Sequence, residues 1–187
     1  MNRYRWQDWY AEVEKAYLKL EAHCQRVIAG GESTGGVLTL RLAALHPEIT
    51  AVLSYATALQ LTLSRWDALR LHLIAPFVPT LPKGPRKDDN PWQGYRVNPL
   101  KAAIQLLRLQ SETRPRLADI HQPILVMQGK QDNTVSARAP EDIFAGVSST
   151  VKELYWMESS GHCVIIDREW EQAARITAEF LGRCLGN

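Results

Sequence analysis

Three short stretches hold residues that could do chemistry together. In "GGESTGG", Ser33 stands between paired glycines, and Gly31-Glu32-Ser33-Thr34-Gly35 fits the pattern G-x-S-x-G. In "QGKQDNTVS", Asp132 is the single acidic residue of nine. In "SSGHC", His162 follows a glycine that frees the loop to place an imidazole ring. A serine hydroxyl is a weak nucleophile and needs a neighbouring base to take its proton. A histidine can be that base, and a carboxylate on its other ring nitrogen fixes the tautomer and steadies the imidazolium. The chemistry such a set would perform is acyl transfer.

The other histidines offer less. His23 and His46 fall at helix ends, His72 lies in a Leu-rich stretch where packing is expected, and His121 precedes a strand with no evident role. Cys163 is next in sequence to His162, so its side chain is expected to point away and pack. No His, Cys, Asp or Glu set has metal-ligand spacing, and the Gly-rich stretch lacks the Lys-Ser/Thr of a phosphate-binding loop. Neither a metal nor a cofactor is expected.

Chemistry of this kind requires elements that bring the three loops to one place. "RVIAG" reads as a short strand, and from Thr34 the apolar positions Val37, Leu38, Leu42 and Leu45 read as a helix ended by "HPE". A tight strand-to-helix turn would lift Ser33 above the sheet in a strained backbone, with Gly31 and Gly35 removing side chains that would collide. The Thr34 amide would lie at the helix N-terminus, where an oxyanion is stabilised. Upstream, Trp6, Trp9, Tyr10, Val13, Tyr17 and Leu20 mark an amphipathic helix over roughly Trp6 to His23. "TAVLSYA", "PILVMQG" and "VKELYWM" read as further strands. A helix is expected over roughly Glu141 to Val147, and "EWEQAARITAEFLGRCL" as a closing helix. Strands alternating with helices predict an α/β fold with a mostly parallel sheet covered by helices. Between the second and third strands lies an excursion, about 59–109. It is helical at both ends, with the turn-rich "TLPKGPRKDDNPWQGYRVNP" between.

Composition sets the frame. The 187 residues suit one domain, with 45% hydrophobic and 22% charged residues and a net charge of +2. That balance carries no footprint for nucleic acid, and no apolar run approaches the length of a membrane span. "MNRYRWQDWY" has no signal-peptide core. Cys24, Cys163 and Cys184 are too scattered for a disulfide framework, which predicts reduced thiols and a cytoplasmic setting.

With "GGESTGG", "PILVMQGKQD", "SSGHCVIIDREWE" and the first helix "WQDWYAEVEKAYLKL" in this order, the chain resembles the α/β-hydrolase superfamily, in its carboxylesterase and monoacylglycerol-lipase branch. The resemblance spans nearly the whole chain. It implies Ser33 as nucleophile, His162 as general base and then acid, Asp132 as its orienter, and the Thr34 amide as one oxyanion donor. It implies that 59–109 is a cap over an acyl pocket. It implies a small acyl ester as substrate, of short- to medium-chain or monoacylglycerol type; acyltransferase, lactonase and thioesterase chemistry share the same residues. The family carries further strands and an oxyanion-donating "HG" loop before the point where this chain begins. The Val27 strand is therefore expected at a bare, association-prone sheet edge. Self-association or a complementing N-terminal half is the corresponding partner expectation, and a non-catalytic remnant is the alternative function.

Overall fold

The structure is a computed structural model that describes residues 2–83 and 94–186. Part of the turn-rich middle of the excursion, at 84–93, lies outside the described residues.

The sheet grows from runs of apolar residues too short for helices. Strand β1 (Ile28–Glu32) is followed by helix α2 (Thr34–Leu45), and β2 (Ala51–Tyr55) comes next. Helix α1 (Trp6–Glu21) precedes them. After the excursion come β5 (Ile124–Gly129), α5 (Arg138–Gly146), β6 (Lys152–Met157) and α6 (Trp170–Leu185). The four strands pair in the order β1-β2-β5-β6, each neighbour parallel. Parallel strands need crossovers; the crossover helices α2 and α5 pack on one face with α1, and the closing helix α6 covers the other.

The period-2 alternation of the central strands sorts their side chains onto the two faces. Val52, Ile124 and Val126 join one core with Val37, Leu40, Leu42 and Ile143 from α2 and α5. Leu53, Tyr55, Leu125 and Met127 join a second core with Ala173, Ile176 and Phe180 from α6. Both central strands are buried throughout, which is why their sequences are apolar apart from Ser54 and Gln128.

The excursion is more varied than its sequence suggests. Residues after β2 run as a buried loop through Ala58 and Leu59, and helix α3 (Arg65–Ile74) starts only at the Ser64 cap, whose hydroxyl oxygen accepts the Asp67 N–H. Two three-residue strands, β3 (Thr80–Pro82) and β4 (Val97–Pro99), form an antiparallel pair. Helix α4 (Leu100–Thr113) then returns to the body and runs into a 3-10 turn at Arg114–Asp119.

The excursion is tied to the sheet by its first and last parts. Gln110 of α4 donates to the Ala58 carbonyl at 2.6 Å, and Arg114 donates to that of Leu59 at 2.9 Å. Thr62 Oγ1 donates to the Asn133 carbonyl at 2.7 Å, on the loop after β5.

Candidate active site

The elements deliver their chemistry at the C-terminal edge of the sheet. Ser33 follows β1, Asp132 follows β5, and His162 follows β6. In open parallel sheets this edge is where loops from several strands converge.

Ser33 has φ +55° and ψ −118°, a conformation that L side chains rarely adopt. Its backbone is held on three sides. The Ser33 N–H donates to the Tyr55 carbonyl at 3.0 Å, and its carbonyl accepts the N–H groups of Val37 and Ala58. The turn is tight enough that a Cβ on Gly31 would press into the backbone of Gly35 and lie 2.7 Å from the Gly36 nitrogen. Gly31 therefore meets the expectation of close approach. Gly35 does not: a Cβ there would meet nothing within 4 Å. The crowded partner is Gly36, where a Cβ would run into the Thr57 side chain, 2.8 Å from its Cβ. Thr57 is fixed there by a 2.6 Å hydrogen bond with Ser54 of β2.

The imidazole of His162 links the other two residues. Its Nε2 lies 2.9 Å from Ser33 Oγ and its Nδ1 lies 2.8 Å from Asp132 Oδ2. A carboxylate can only accept, so Nδ1 carries the proton and Nε2 is left to accept the Ser33 hydroxyl. The Asp132 side chain is 1% exposed and that of His162 23% exposed, so the carboxylate is sealed while the imidazole is open to a ligand. Burial works to raise the Asp132 carboxyl. The hydrogen bond and charge of His162, with the Thr134 and Val135 amides, outweigh it and hold the group below the usual carboxylate value. Those two amides donate to Oδ1 at 2.7 and 3.0 Å.

Four further residues shape the site, and the motifs alone do not disclose them. Gln128 is 1% exposed on β5, and its amide donates to Asp132 Oδ2 at 2.8 Å, the same oxygen that faces His162. Gly129 lets the end of β5 pass directly under the loop after β6, where a Cβ would strike the backbone of Ser160 and Gly161. Asp167 accepts the Gly161 N–H at 2.7 Å, pinning the His162 loop from its far side. Glu32, next to Ser33, accepts the Ile165 N–H at 3.3 Å and ties β1 to that loop. Burial raises the Glu32 carboxyl above its ordinary value; Asp132 and Asp167 add to this, while the Ile165 amide and His162 oppose it. The one readable signal among these was a polar Gln inside an otherwise apolar strand.

Thr34 opens α2, so its amide is among the first four of the helix, which have no acceptor within the helix. The remaining histidines lie elsewhere. His72 is exposed, with Nδ1 2.8 Å from the Ala68 carbonyl of its own helix, so the expected packing role does not hold. His46 is part-buried between Glu14 Oε1, 2.9 Å away, and the Tyr17 ring rather than free on the surface. Among the described residues no group of three or more His, Cys, Asp or Glu side chains is arranged to hold a metal ion, and no helix is long and apolar enough to cross a membrane.

Comparison with known proteins identifies the family. Over 186 residues the chain is 28% identical to the thermostable monoacylglycerol lipase of Bacillus sp. (strain H-257), covering 100% of this chain and 74% of that protein. It is 23% identical over 181 residues to the carboxylesterase of Bacillus subtilis (strain 168), covering 94% and 72%. A solved structure from work on the metagenome-derived lipolytic enzymes LipS and LipT superposes with a TM-score of 0.89 at 26% identity, covering 97% of this chain and 75% of that one. The family model described as Serine aminopeptidase, S33 matches residues 3–169. By that match the chain belongs to the Serine aminopeptidase, S33 family, and it is an α/β-hydrolase of the monoacylglycerol-lipase-like branch.

Proposed function

We propose that this chain hydrolyses carboxylic esters of short- to medium-chain acyl or monoacylglycerol type, through an acyl-enzyme on Ser33. The observation that carries the reading is the hydrogen-bonded line Ser33–His162–Asp132, at 2.9 and 2.8 Å, built on a serine held at positive φ. His162 Nε2 takes the hydroxyl proton as Oγ attacks the ester carbonyl. Asp132 stabilises the imidazolium from the other side. The tetrahedral oxyanion accepts the Thr34 N–H at the head of α2. On collapse His162 returns the proton to the departing alcohol. Water then attacks the acyl carbon as His162 takes its proton; the bond to Ser33 Oγ breaks, His162 returns the proton to Oγ, and the carboxylic acid leaves. The excursion between β2 and β5 acts as the cap over the acyl group. The lipase and carboxylesterase relatives favour an ester over an amide as substrate.

The experiment is labelling with a fluorophosphonate probe followed by peptide mapping. An adduct on Ser33 of the folded chain, absent in Ser33→Ala, is expected; a folded chain that gives no adduct refutes the reading.

One observation favours a second reading, a non-catalytic chain that self-associates. Among the described residues β1 pairs only with β2, so its other edge presents unpaired backbone groups. Sedimentation velocity separates the two readings. Concentration-dependent association without ester turnover supports the second, and a labelled monomer rules it out.

A further inference from the structure

A cleft of about 520 Å³ lies away from Ser33, Asp132 and His162, between the segment before α1, the end of α3 and one face of α4. Its lining includes Arg3, Arg5, His72, Lys101 and Arg108, and no acidic side chain. Lys101, Ile104, Gln105 and Arg108 recur at i, i+3, i+4 and i+7, so α4 offers this cleft one continuous face.

Several surface cations elsewhere are ion-paired. Arg70 meets Asp67, Arg114 meets Asp142, Lys130 meets Glu158, and Arg183 meets Glu153. Among the described residues no carboxylate forms an ion pair with Arg3, Arg5, Lys101 or Arg108. The nearest acid in sequence, Asp8, spends an oxygen on the Arg5 backbone N–H at 2.7 Å. Like charges gathered without counter-charge repel, and an anion seated among them removes that repulsion. The donor set is suited to a phosphate group. Guanidinium groups bind its oxygens in pairs, and an ammonium adds a point charge.

We infer that this cleft binds a phosphate-bearing anion, at a site separate from the ester-cleaving residues. Two sources share this chemistry, a soluble phosphate ester and the headgroup of an anionic phospholipid. The outer stripe of α3 gives the second its reason. Trp66, Leu69 and Leu73, with Phe77 beyond, are 50–86% exposed at helical spacing, beside the cleft. Apolar residues flanked by cations suit a lipid surface.

The test measures binding of glycerol 3-phosphate by calorimetry, and of vesicles of phosphatidylcholine with and without phosphatidylglycerol by co-sedimentation. At least one probe, glycerol 3-phosphate or the phosphatidylglycerol vesicle, is expected to bind, and to bind less well as salt rises. Lys101→Glu and Arg108→Glu are each expected to weaken that binding at least tenfold. Arg175→Glu, on α6 far from the cleft, is expected to leave it unchanged. Binding of the soluble phosphate identifies a free phosphate ester, and binding of the phosphatidylglycerol vesicle alone identifies the headgroup. Arg108→Gln, which only deletes charge, guards against misfolding of the reversed variants. No binding by either probe, or equal loss in Arg175→Glu, overturns the inference. Because binding is read without turnover, a failure of ester hydrolysis leaves this test intact.

Discussion

At the scale of single residues the site depends on how one carboxylate is shared. Asp132 Oδ2 faces both His162 and the Gln128 amide, while Oδ1 is occupied by two backbone N–H groups. Each donor stabilises the anion and so weakens its pull on the imidazolium. Replacing Gln128 by Leu removes one donor from a sealed carboxylate. The remaining charge then falls more heavily on His162, and the acid limb of kcat/KM for an ester is expected to move to higher pH. A purely structural loss would lower kcat/KM across the profile without moving that limb. Glu32 poses the opposite case. Its carboxyl is raised by burial, so protonation favours the folded state, and that advantage is lost as pH rises through the folded value. At neutral pH the ionised group therefore weakens the fold. Glu32→Gln keeps an oxygen for the Ile165 amide and is expected to raise Tm at pH 7–8. The difference should close near pH 4, below the ordinary glutamate value of about 4.3. Thermal melts of both chains across this range check it.

At the scale of elements, the turn from β1 into α2 separates two glycines that look equivalent in the sequence. Gly36 faces Thr57 at van der Waals limits, so Gly36→Ala forces a shift of the β2 loop. It is expected to destabilise the fold by roughly 1–3 kcal/mol. Gly35 faces open space in the first turn of α2, and Gly35→Ala is expected to be neutral or to gain up to about 1 kcal/mol from reduced backbone freedom. Urea unfolding of the two variants reads the contrast directly. The pattern G-x-S-x-G points to the glycine that matters less, because it counts positions along the chain and the collision comes from a neighbouring strand. The same limit governs the rest of the fold. β2 and β5 were legible because burial on both faces makes their runs mostly apolar, with only Ser54 and Gln128 as polar side chains. β3 and β4 were not, since "TLP" and "VNP" are short, proline-containing and largely exposed. Leu59 and Leu61 read as helical in the sequence, but α3 starts only at Arg65, and Leu59 is buried in the loop whose Ala58 and Leu59 carbonyls accept from Gln110 and Arg114. The Ser64–Asp67 cap was the overlooked signal. Ser33, Asp132 and His162 were legible because each follows a strand. Gln128 and Gly129 act across the sheet and left only a faint trace in the sequence.

At the scale of the molecule, the site is assembled from opposite sides of the sheet. Ser33 hangs from β1 at one edge, and His162 from β6 at the other, with two strands between them. The 2.9 Å contact between them therefore exists only while all four strands hold their register. The excursion is not under the same constraint. In α2, seven residues from Gly36 to Ala43 are buried, whereas Trp66, Leu69 and Leu73 of α3 are 50–72% exposed. Regions with few buried apolar contacts open locally at low cost, and core helices open only with the whole fold. Amides of α3 are accordingly expected to exchange with solvent at least a hundredfold faster than those of α2 from Leu38 to Leu42. Fluorophosphonate labelling of Ser33 should be lost on heating at the same midpoint as the sheet signal in circular dichroism. Exchange in α3 should already be complete well below that temperature. Labelling that fails early, together with α3, would place the reactivity of Ser33 under control of the excursion and not of the sheet. Equal exchange in the two helices would show that α3 is packed as firmly as the core.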